Sequence, residues 1–283
     1  MKVILNIIAI IAICIFLAEA ACRIMMPSPV RLIDNKTKKR IWLADVIESS
    51  SKGKRFMPNL DLSVYNAWIS HKPKITLKTN SLGLRGDEIS LQNVNNEFRV
   101  LVLGDSITWS GYLSEEDTFV FKLENLLKEK LKFNIRAING GIGDVGITEE
   151  IGLLKEYFDR IKPKIVILTF YLNDSRPPFG FESEKKLGWA KFLQQSVFIN
   201  VIYNNSQVQA YLMRHKILGK GYRYRWYELS KNPLWKKDKA YFMKMVDEAD
   251  LDWGAAWNND SWMTVEQKVN EFKNLSVEKN FIP

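Results

Sequence analysis

The amino-acid sequence predicts an α/β fold with a doubly wound parallel sheet, preceded by an N-terminal apolar helix. Three short apolar runs, which are typical of buried strands, alternate with two amphipathic segments between residues 98 and 171. Strands that are apolar on both faces indicate a parallel sheet covered by helices on both sides. A length of 283 residues, of which 46% are hydrophobic, is ample for a buried core and excludes a disordered chain.

The first predicted element is an apolar segment, residues 1–25, in which Asn6 is the only polar residue between positions 3 and 18. About 20 residues of helix span about 30 Å, which matches the hydrocarbon core of a bilayer. The segment is therefore predicted to be a signal-anchor. The alternative is a cleaved signal peptide, because Ala18-Glu19-Ala20 fits a small-x-small cleavage site. A lipoprotein cut before Cys22 is disfavoured, since Glu19 stands where an apolar residue is usual.

Four further regions are predicted. Residues 26–94 are interrupted by prolines and form an irregular lead-in, and residues 95–178 form the α/β core. Residues 179–263 form a helical insert that is rich in aromatic and basic residues. Residues 264–283 form a return helix and the start of a further strand. With either an anchor or a cleaved signal in front of them, these regions are predicted to be extracytoplasmic, in the periplasm or at the cell surface, or secreted after cleavage.

Within the core, the apolar runs 98–103, 133–138 and 164–171 are predicted strands. The segments 118–130 and 148–161 between them have apolar residues at helical spacing and are predicted helices. Gly104 and Asn139 directly follow the first two strands, and Asn173 comes two residues after the end of the third. Because parallel strands end at one edge of a sheet, and ligands of open α/β sheets bind at that edge, the residues after each strand are the candidate site.

Three polar clusters occupy those positions: Gly104-Asp105-Ser106, the segment 139–144, and Asn173-Asp174. A serine hydroxyl can attack a carbonyl carbon. Glycine-rich backbone and a side-chain amide supply N–H groups that stabilise the resulting oxyanion. The residue types at this edge therefore suit acyl transfer.

The three clusters together resemble the motif blocks of the SGNH/GDSL hydrolases, in particular the membrane-anchored bacterial type. In that family Gly-Asp-Ser follows strand one, a glycine follows strand two, and the third block ends in Asn-Asp, as at Asn173-Asp174. The lead-in segment 80–86 is also similar to that of membrane-anchored members. The resemblance covers residues 75–178 and implies a flavodoxin-like SGNH hydrolase fold with about five parallel strands.

The resemblance implies that Ser106 is the nucleophile and that its own N–H, together with the side-chain amide of Asn173, binds the oxyanion. The family pattern places the glycine donor at position 143 or 144. Because position 144 is Asp, Gly143 is the predicted donor, with Gly141 as the alternative. The residues alone also allow a purely structural interpretation, in which Ser106 caps a helix, Gly143 forms a turn and Asn173 caps a loop.

The two acids of these clusters, Asp105 and Asp174, are predicted to order their loops rather than to act as acid or base. The family takes its general base from a late Asp-x-x-His block, and this sequence has no such block. Of its two histidines, His71 is interpreted as an exposed loop residue and His215 as structural or interfacial. The sequence therefore suggests a C-terminally shortened form that is inactive as given, and the alternative is a pseudoenzyme or a member with another base.

The predicted function is a membrane-anchored serine esterase or O-acyl hydrolase/transferase that acts on an ester-bearing glycan or lipid through an acyl-serine. The alternative is a non-catalytic module on the same fold, which binds envelope polysaccharide or belongs to an acylation complex. No cofactor or metal is predicted, because two distant histidines and the two N-terminal cysteines, Cys14 and Cys22, cannot form a usual transition-metal site. The formal net charge is +9, but no nucleic-acid-binding motif is present, so nucleic acid is not a predicted partner.

Overall fold

The structure is a computed structural model, and the chain divides into two compact units. The first unit comprises Met1–Pro29 and Lys186–Asp250, and the second comprises Val30–Lys185 and Leu251–Pro283. The residues that the structure describes are 2–25, 31–41, 43–50, 53–65, 72–93, 96–143, 145–175, 196–203, 229, 232–248 and 259–283.

The helices and strands of these described residues are numbered in chain order. The helices are α1 (Lys2–Met25), α2 (Ser106–Trp109), α3 (Phe119–Leu131), α4 (Ile147–Ile161), α5 (Val197–Tyr203), α6 (Lys239–Glu248) and α7 (Asn259–Lys279). The strands are β1 (Arg31–Asp34), β2 (Arg40–Ile41), β3 (Ile47–Ser50), β4 (Gly53–Phe56), β5 (Asp61–Tyr65), β6 (Lys74–Lys78), β7 (Phe98–Gly104), β8 (Ile135–Gly141) and β9 (Ile165–Leu168). Short 3₁₀ turns occur at Leu43–Val46, Glu115–Asp117, Leu172–Ser175 and Pro233–Lys236.

The apolar helix α1 is long and apolar enough to cross a membrane, and none of its apolar stretch is buried inside the protein. Its apolar residues are exposed from position 3 to position 17. A buried core helix would have covered these side chains, so the helix has the character of a membrane anchor or of a signal sequence.

The predicted parallel sheet is confirmed. Its three strands lie in the order β8-β7-β9, and β7 pairs in parallel with both neighbours. The register places Gly104 beside Gly141 and Leu103 beside Leu168, so the three strands end at nearly the same level. The residues that follow these strands therefore share one edge of the sheet.

Helices cover both faces of this sheet, because alternate residues of β7 point to opposite sides. Val100 and Val102 pack in one apolar cluster with Val120, Leu123 and Leu127 of α3. The other face buries a larger cluster, which includes residues of β7, α4 and α7: Leu101, Leu103, Ile151, Leu154, Phe158, Ile161, Val265 and Phe272.

The segment 26–94, which the sequence predicts to be irregular, contains six strands in its described residues. Strands β1, β2, β5 and β6 form an antiparallel sheet in the order β2-β1-β5-β6, and β3 and β4 form a separate antiparallel pair. These strands are two to five residues long, and β1 pairs with the distant β5, so little local periodicity marks them. Their inward residues Phe56, Leu62 and Leu77 join the larger apolar cluster.

Helix α7 extends over Asn259–Lys279, so it begins before the region 264–283 in which the sequence predicts a return helix. After it, Phe281 packs against Phe158 and Phe272, with ring centroids 5.5 and 5.6 Å apart. Ile282 forms a parallel bridge with Ile165 of β9, which places it beside the outer edge of that strand. This contact agrees with the strand start predicted for the end of the chain.

In the predicted insert, 179–263, the described residues form α5, the 3₁₀ turn Pro233–Lys236, α6 and the start of α7. Trp235 and Trp262 are within the described residues, whereas Trp189, Trp226, Trp253 and Trp257 lie outside them. The aromatic and basic character of the insert is therefore known from its sequence alone.

Candidate functional site

The three predicted site residues each follow the carboxyl end of a different strand of the parallel sheet. Ser106 is the first residue of α2 after β7, Gly143 lies in the turn after β8, and Asn173 lies in the 3₁₀ turn after β9. Because the strands end at the same level, the fold places all three at one edge. We name residues 105–113 the serine turn and residues 171–175 the asparagine turn.

The serine turn presents Ser106 to solvent. Asp105 is buried and is the N-cap of α2, since its Oδ1 accepts a hydrogen bond from the backbone N–H of Ile107 at 2.8 Å. Capping is thus performed by Asp105, as predicted for a loop-ordering residue, and not by the serine. Ser106 is exposed, and its Oγ lies 3.5 Å from Asp105 Oδ2. Its hydroxyl is accessible to a ligand.

Glycines allow α2 to lie against the ends of the strands. A Cβ on Gly141 would lie 2.2 Å from the backbone nitrogen of Trp109, and one on Gly104 would lie 2.1 Å from the Thr108 hydroxyl. Neither position has room for a side chain. Gly141, which the sequence offers as an alternative oxyanion donor, is thus required for the close packing of α2 against β8.

Hydrogen bonds tie the serine turn to both neighbouring strands. Asn139 of β8 donates from Nδ2 to the carbonyl of Thr108 at 2.9 Å. The hydroxyl oxygens of Thr108 and Thr169 lie 2.5 Å apart, and Thr169 also donates to the carbonyl of Leu103. The backbone after Ser106 is therefore anchored on each side of β7.

Arg85 binds the C-terminal part of the serine turn, a role that the sequence does not predict. Its guanidinium donates to the carbonyls of Trp109, Ser110 and Leu113 at 2.7, 2.5 and 2.7 Å. A further bond of 2.8 Å joins Nε to Glu115 Oε2. Arg85 is only 3% exposed, so a buried cation supplies the donors that these carbonyls need.

The segment 80–86, which carries part of the family resemblance, forms the turn that positions Arg85. Asn80 Oδ1 accepts hydrogen bonds from the backbone N–H groups of Leu82 and Leu84 at 2.9 and 3.1 Å. Gly83 has a φ of 75°, and a Cβ there would lie 2.2 Å from the carbonyl oxygen of Phe56. The turn motif is visible in the sequence, but it lies about twenty residues before Ser106, so the sequence does not indicate that it supports the serine turn.

The asparagine turn is held by Asp174. Its Oδ2 accepts a hydrogen bond from the backbone N–H of Tyr171 at 2.5 Å, and Ser175 Oγ donates to the carbonyl of Leu172 at 2.8 Å. Asp174 therefore orders its loop, as predicted. Asn173 is partly exposed, and its Oδ1 is buried without a hydrogen-bond partner among the described residues.

The two glycine candidates differ in their backbone N–H groups. Gly141 donates its N–H to Asn139 Oδ1 at 2.9 Å, so that group is already engaged. Gly143 is buried, and among the described residues no hydrogen bond engages its N–H or that of Ser106. Within the described part of the chain, the Gly141 N–H is thus engaged by a side chain and the Gly143 N–H is not. Asp144, which occupies the other family position, lies outside the described residues.

A buried acid, Glu150 of α4, was also missed. It is 2% exposed, and within the described part of the chain neither carboxyl oxygen has a hydrogen-bond partner. Burial raises the pKa of this carboxyl well above its usual 4.5, and the negative charges of Asp174 and Asp105 raise it further. The sequence signal was its spacing, because Glu150 lies three residues after Ile147 and four before Leu154 on the apolar face of α4.

No general base is assigned. His71 and His215 lie outside the described residues, and the Ser106 hydroxyl lies 3.5 Å from the carboxylate of Asp105. Among the residues that the structure describes, no group of three or more His, Cys, Asp or Glu side chains is arranged to hold a metal ion. A hollow between α4 and α7, lined by Leu154, Lys155 and Asn270 among others, includes none of the three predicted site residues.

The chain has a weak structural match among known proteins. No family model matches the chain, and no curated protein matches it. Among solved structures, it is similar to the crystal structure of AlinE4, a SGNH-hydrolase family esterase, with 22% sequence identity and a TM-score of 0.24. The match covers 43% of this chain and 56% of AlinE4. A TM-score at this level does not define a common fold.

Proposed function

We propose that the protein is a membrane-anchored serine esterase or O-acyl hydrolase/transferase of the SGNH/GDSL type, with a flavodoxin-like doubly wound core. The observation that carries the proposal is the exposed hydroxyl of Ser106 at the edge where the three parallel strands end. Its neighbour Asp105 takes the capping role, so the hydroxyl is left for chemistry.

In the proposed reaction, Ser106 Oγ attacks the carbonyl carbon of an ester. The Oγ–C bond forms, the hydroxyl proton passes to a base, and the carbonyl oxygen becomes an oxyanion. The N–H groups of Ser106 and Gly143 and the amide of Asn173 stabilise that charge. Collapse breaks the bond to the alcohol, which leaves with a proton, and water or an acceptor hydroxyl then releases the acyl group from the serine.

The proposed substrates are ester-bearing glycans or lipids, and the proposed location is the outer side of a membrane to which α1 anchors the chain. The support is compositional. The insert combines tryptophans, on which sugar rings can stack, with lysines and arginines, which attract anionic polymers and headgroups. Without the Asp-x-x-His block, turnover by this chain is expected to be slow.

The experiment is covalent labelling of the full chain with a fluorophosphonate probe, read by mass spectrometry of the labelled peptide. Ser106 is expected to be labelled, and the rate is expected to rise with pH because hydroxide replaces the missing base. Ser106→Ala should abolish the label. Asn173→Ala should slow it about 10²-fold, the usual effect of removing one oxyanion donor.

The matched control is Ser110→Gly, which removes a second hydroxyl from the serine turn. Ser110 has a φ of 53°, a conformation that glycine adopts readily, so the fold should tolerate the change. Its labelling should equal that of the wild type. Labelling that survives Ser106→Ala, or no labelling of Ser106 at any pH, would reject the nucleophile and favour the non-catalytic binding module.

A further inference from the structure

The acid of the apolar helix, Glu19, is bound to the start of α5 within the first unit. Ser196 Oγ donates to Glu19 Oε2 at 2.6 Å. The backbone N–H groups of Val197 and Phe198 donate to the same carboxylate at 3.1 and 3.0 Å. Arg23, one turn further along α1, lies 2.7 Å from Oε1. The carboxylate of one helix thus caps the N-terminus of another.

Exposure along α1 changes at this contact. Residues 2–17 are exposed throughout, whereas residues 18–20 and Cys22 are partly covered. From Lys2 to Glu19 the helix rises about 26 Å, at about 1.5 Å per residue. A bilayer has a hydrocarbon core of about 30 Å. If the exposed part of α1 lies in lipid, the contact with α5 lies close to the membrane surface.

Helix α5 has the composition of a segment at that surface. Its sequence is Val-Phe-Ile-Asn-Val-Ile-Tyr, which is apolar and aromatic except for one asparagine. Val197 is 3% exposed, whereas Ile202 is 39% exposed. A helix of this length is not stable by itself in water, so it depends on its cap and on an apolar surface. Apolar and aromatic residues at a helix–membrane boundary favour the headgroup region.

We propose that a lipid surface is the partner of this pair of helices: α1 is retained in the mature protein, and Glu19 fixes α5 at the membrane interface. Cleavage after Ala20 would remove Glu19 and leave three donors at the start of α5 without their acceptor. The inference rests on the membrane placement of α1 in the proposed function, and it does not depend on the esterase chemistry.

Retention is tested by the intact mass and N-terminal sequence of the full chain purified from membranes. The expected N-terminus is Met1. An N-terminus between residues 19 and 23 would overturn the proposal, because the capping carboxylate would be absent or separated from its helix. A chain that fails to float with vesicles in a density gradient would instead contradict the membrane placement, while labelling of Ser106 would be unaffected.

The position of α5 is tested with a fluorophore on Ile202→Cys, in a Cys14→Ser and Cys22→Ala background, in nanodiscs with brominated phospholipids. Fluorescence is expected to fall about twofold, as for a side chain at the acyl boundary. Glu19→Ala should abolish the quenching, whereas Asn6→Ala, which changes an exposed polar residue of the same helix, should preserve it. No quenching in the parent chain would reject the lipid partner. Equal quenching in Glu19→Ala would reject the role of Glu19.

Discussion

The serine turn and the asparagine turn follow neighbouring strands, but they are held in different ways. The serine turn has its carbonyls bound by Arg85 and Asn139, and its Thr108 hydroxyl contacts Thr169. Only the indole Nε1 of Trp109 is buried there without a partner among the described residues. The backbone that carries the proposed nucleophile is thus fixed by contacts from distant parts of the chain.

The asparagine turn is held, in the hydrogen bonds of the described residues, by contacts between its own members, since Asp174 accepts from the Tyr171 N–H and Ser175 donates to the Leu172 carbonyl. The Asn173 amide oxygen and both carboxyl oxygens of Glu150 are buried without hydrogen-bond partners in the described structure. Buried polar atoms without partners are costly, and in native proteins they are found where a ligand, a water or a proton completes the site. Among the described hydrogen bonds, the serine turn is thus held by residues distant in the chain, and the asparagine turn by its own residues.

The largest effect is expected for Arg85→Met, which removes the guanidinium that donates to three carbonyls of the serine turn. The buried carbonyls and Glu115 would lose their partner, so the free energy of unfolding should fall by about 3–5 kcal/mol. Chemical denaturation measures this loss. Fluorophosphonate labelling of Ser106 should also slow, because the turn is no longer fixed.

The control is Arg136→Met. The Arg136 side chain is partly exposed, donates to the carbonyl of Asp87 at 3.4 Å and lies 3.9 Å from Glu124. Its loss should cost about 1 kcal/mol or less. Equal destabilisation by the two substitutions would show that Arg85 contributes charge rather than the hydrogen bonds to the serine turn.

Local sequence patterns predicted the core of the fold, whereas they did not predict polar contacts between residues that are distant in the chain. Strand β7 and helix α4 were found within a residue or two, because apolar runs and helical spacing are local signals. The role of Arg85 depends on carbonyls 24 to 28 residues away, and a backbone carbonyl leaves no mark in the sequence. The pairing of β1 with β5 left no local signal for a similar reason, since the two strands are distant in the chain.

The candidate site shows the same division. Motif order placed Ser106, Gly143 and Asn173 at strand ends and favoured Gly143 over Gly141 without any coordinates, and the structure adds that Asn139 accepts the Gly141 N–H. Glu150 is the opposite case. Its apolar-face spacing was visible in the sequence, but a charged residue in a helix is ordinarily assigned to the solvent side.

An intermediate effect is expected for Gly141→Ala, which tests the close approach of α2 to β8. A Cβ would meet backbone atoms of Trp109 and Thr108 at 2.2 and 2.5 Å, and backbone cannot rotate out of the way as a side chain can. Overpacking of this kind costs about 2–3 kcal/mol. Thermal or chemical unfolding measures it.

The matched change is Gly152→Ala in α4, at a partly exposed helical position. Alanine favours a helix over glycine, so this variant should gain about 0.5–1 kcal/mol. If Gly141→Ala were equally neutral or stabilising, the serine turn could move away from β8 at no cost, and its rigidity would not depend on this contact.

The smallest effect concerns Glu150, whose buried carboxyl is influenced by the charges of Asp105 in the serine turn and Asp174 in the asparagine turn. Burial, together with the charges of Asp174, Asp105 and Glu149, raises its pKa in the folded protein above the usual 4.5. In the unfolded chain the carboxyl ionises near 4.5. Between these two pKa values the folded state keeps a proton that the unfolded state has released. The free energy of unfolding therefore falls as pH rises through this window, and the full contribution is present only below it.

Glu150→Gln has no proton to release, so its stability should not show this fall. At pH 7 the variant should be more stable than the wild type, and the difference should shrink as the pH falls towards 4.5. Urea denaturation at several pH values between 4 and 8 measures the difference. Asp159→Asn removes an exposed acid from the same helix and should change stability by less than about 0.5 kcal/mol at any pH. Parallel pH curves for Glu150→Gln and the wild type would mean that burial does not hinder ionisation of the Glu150 carboxyl in the folded protein.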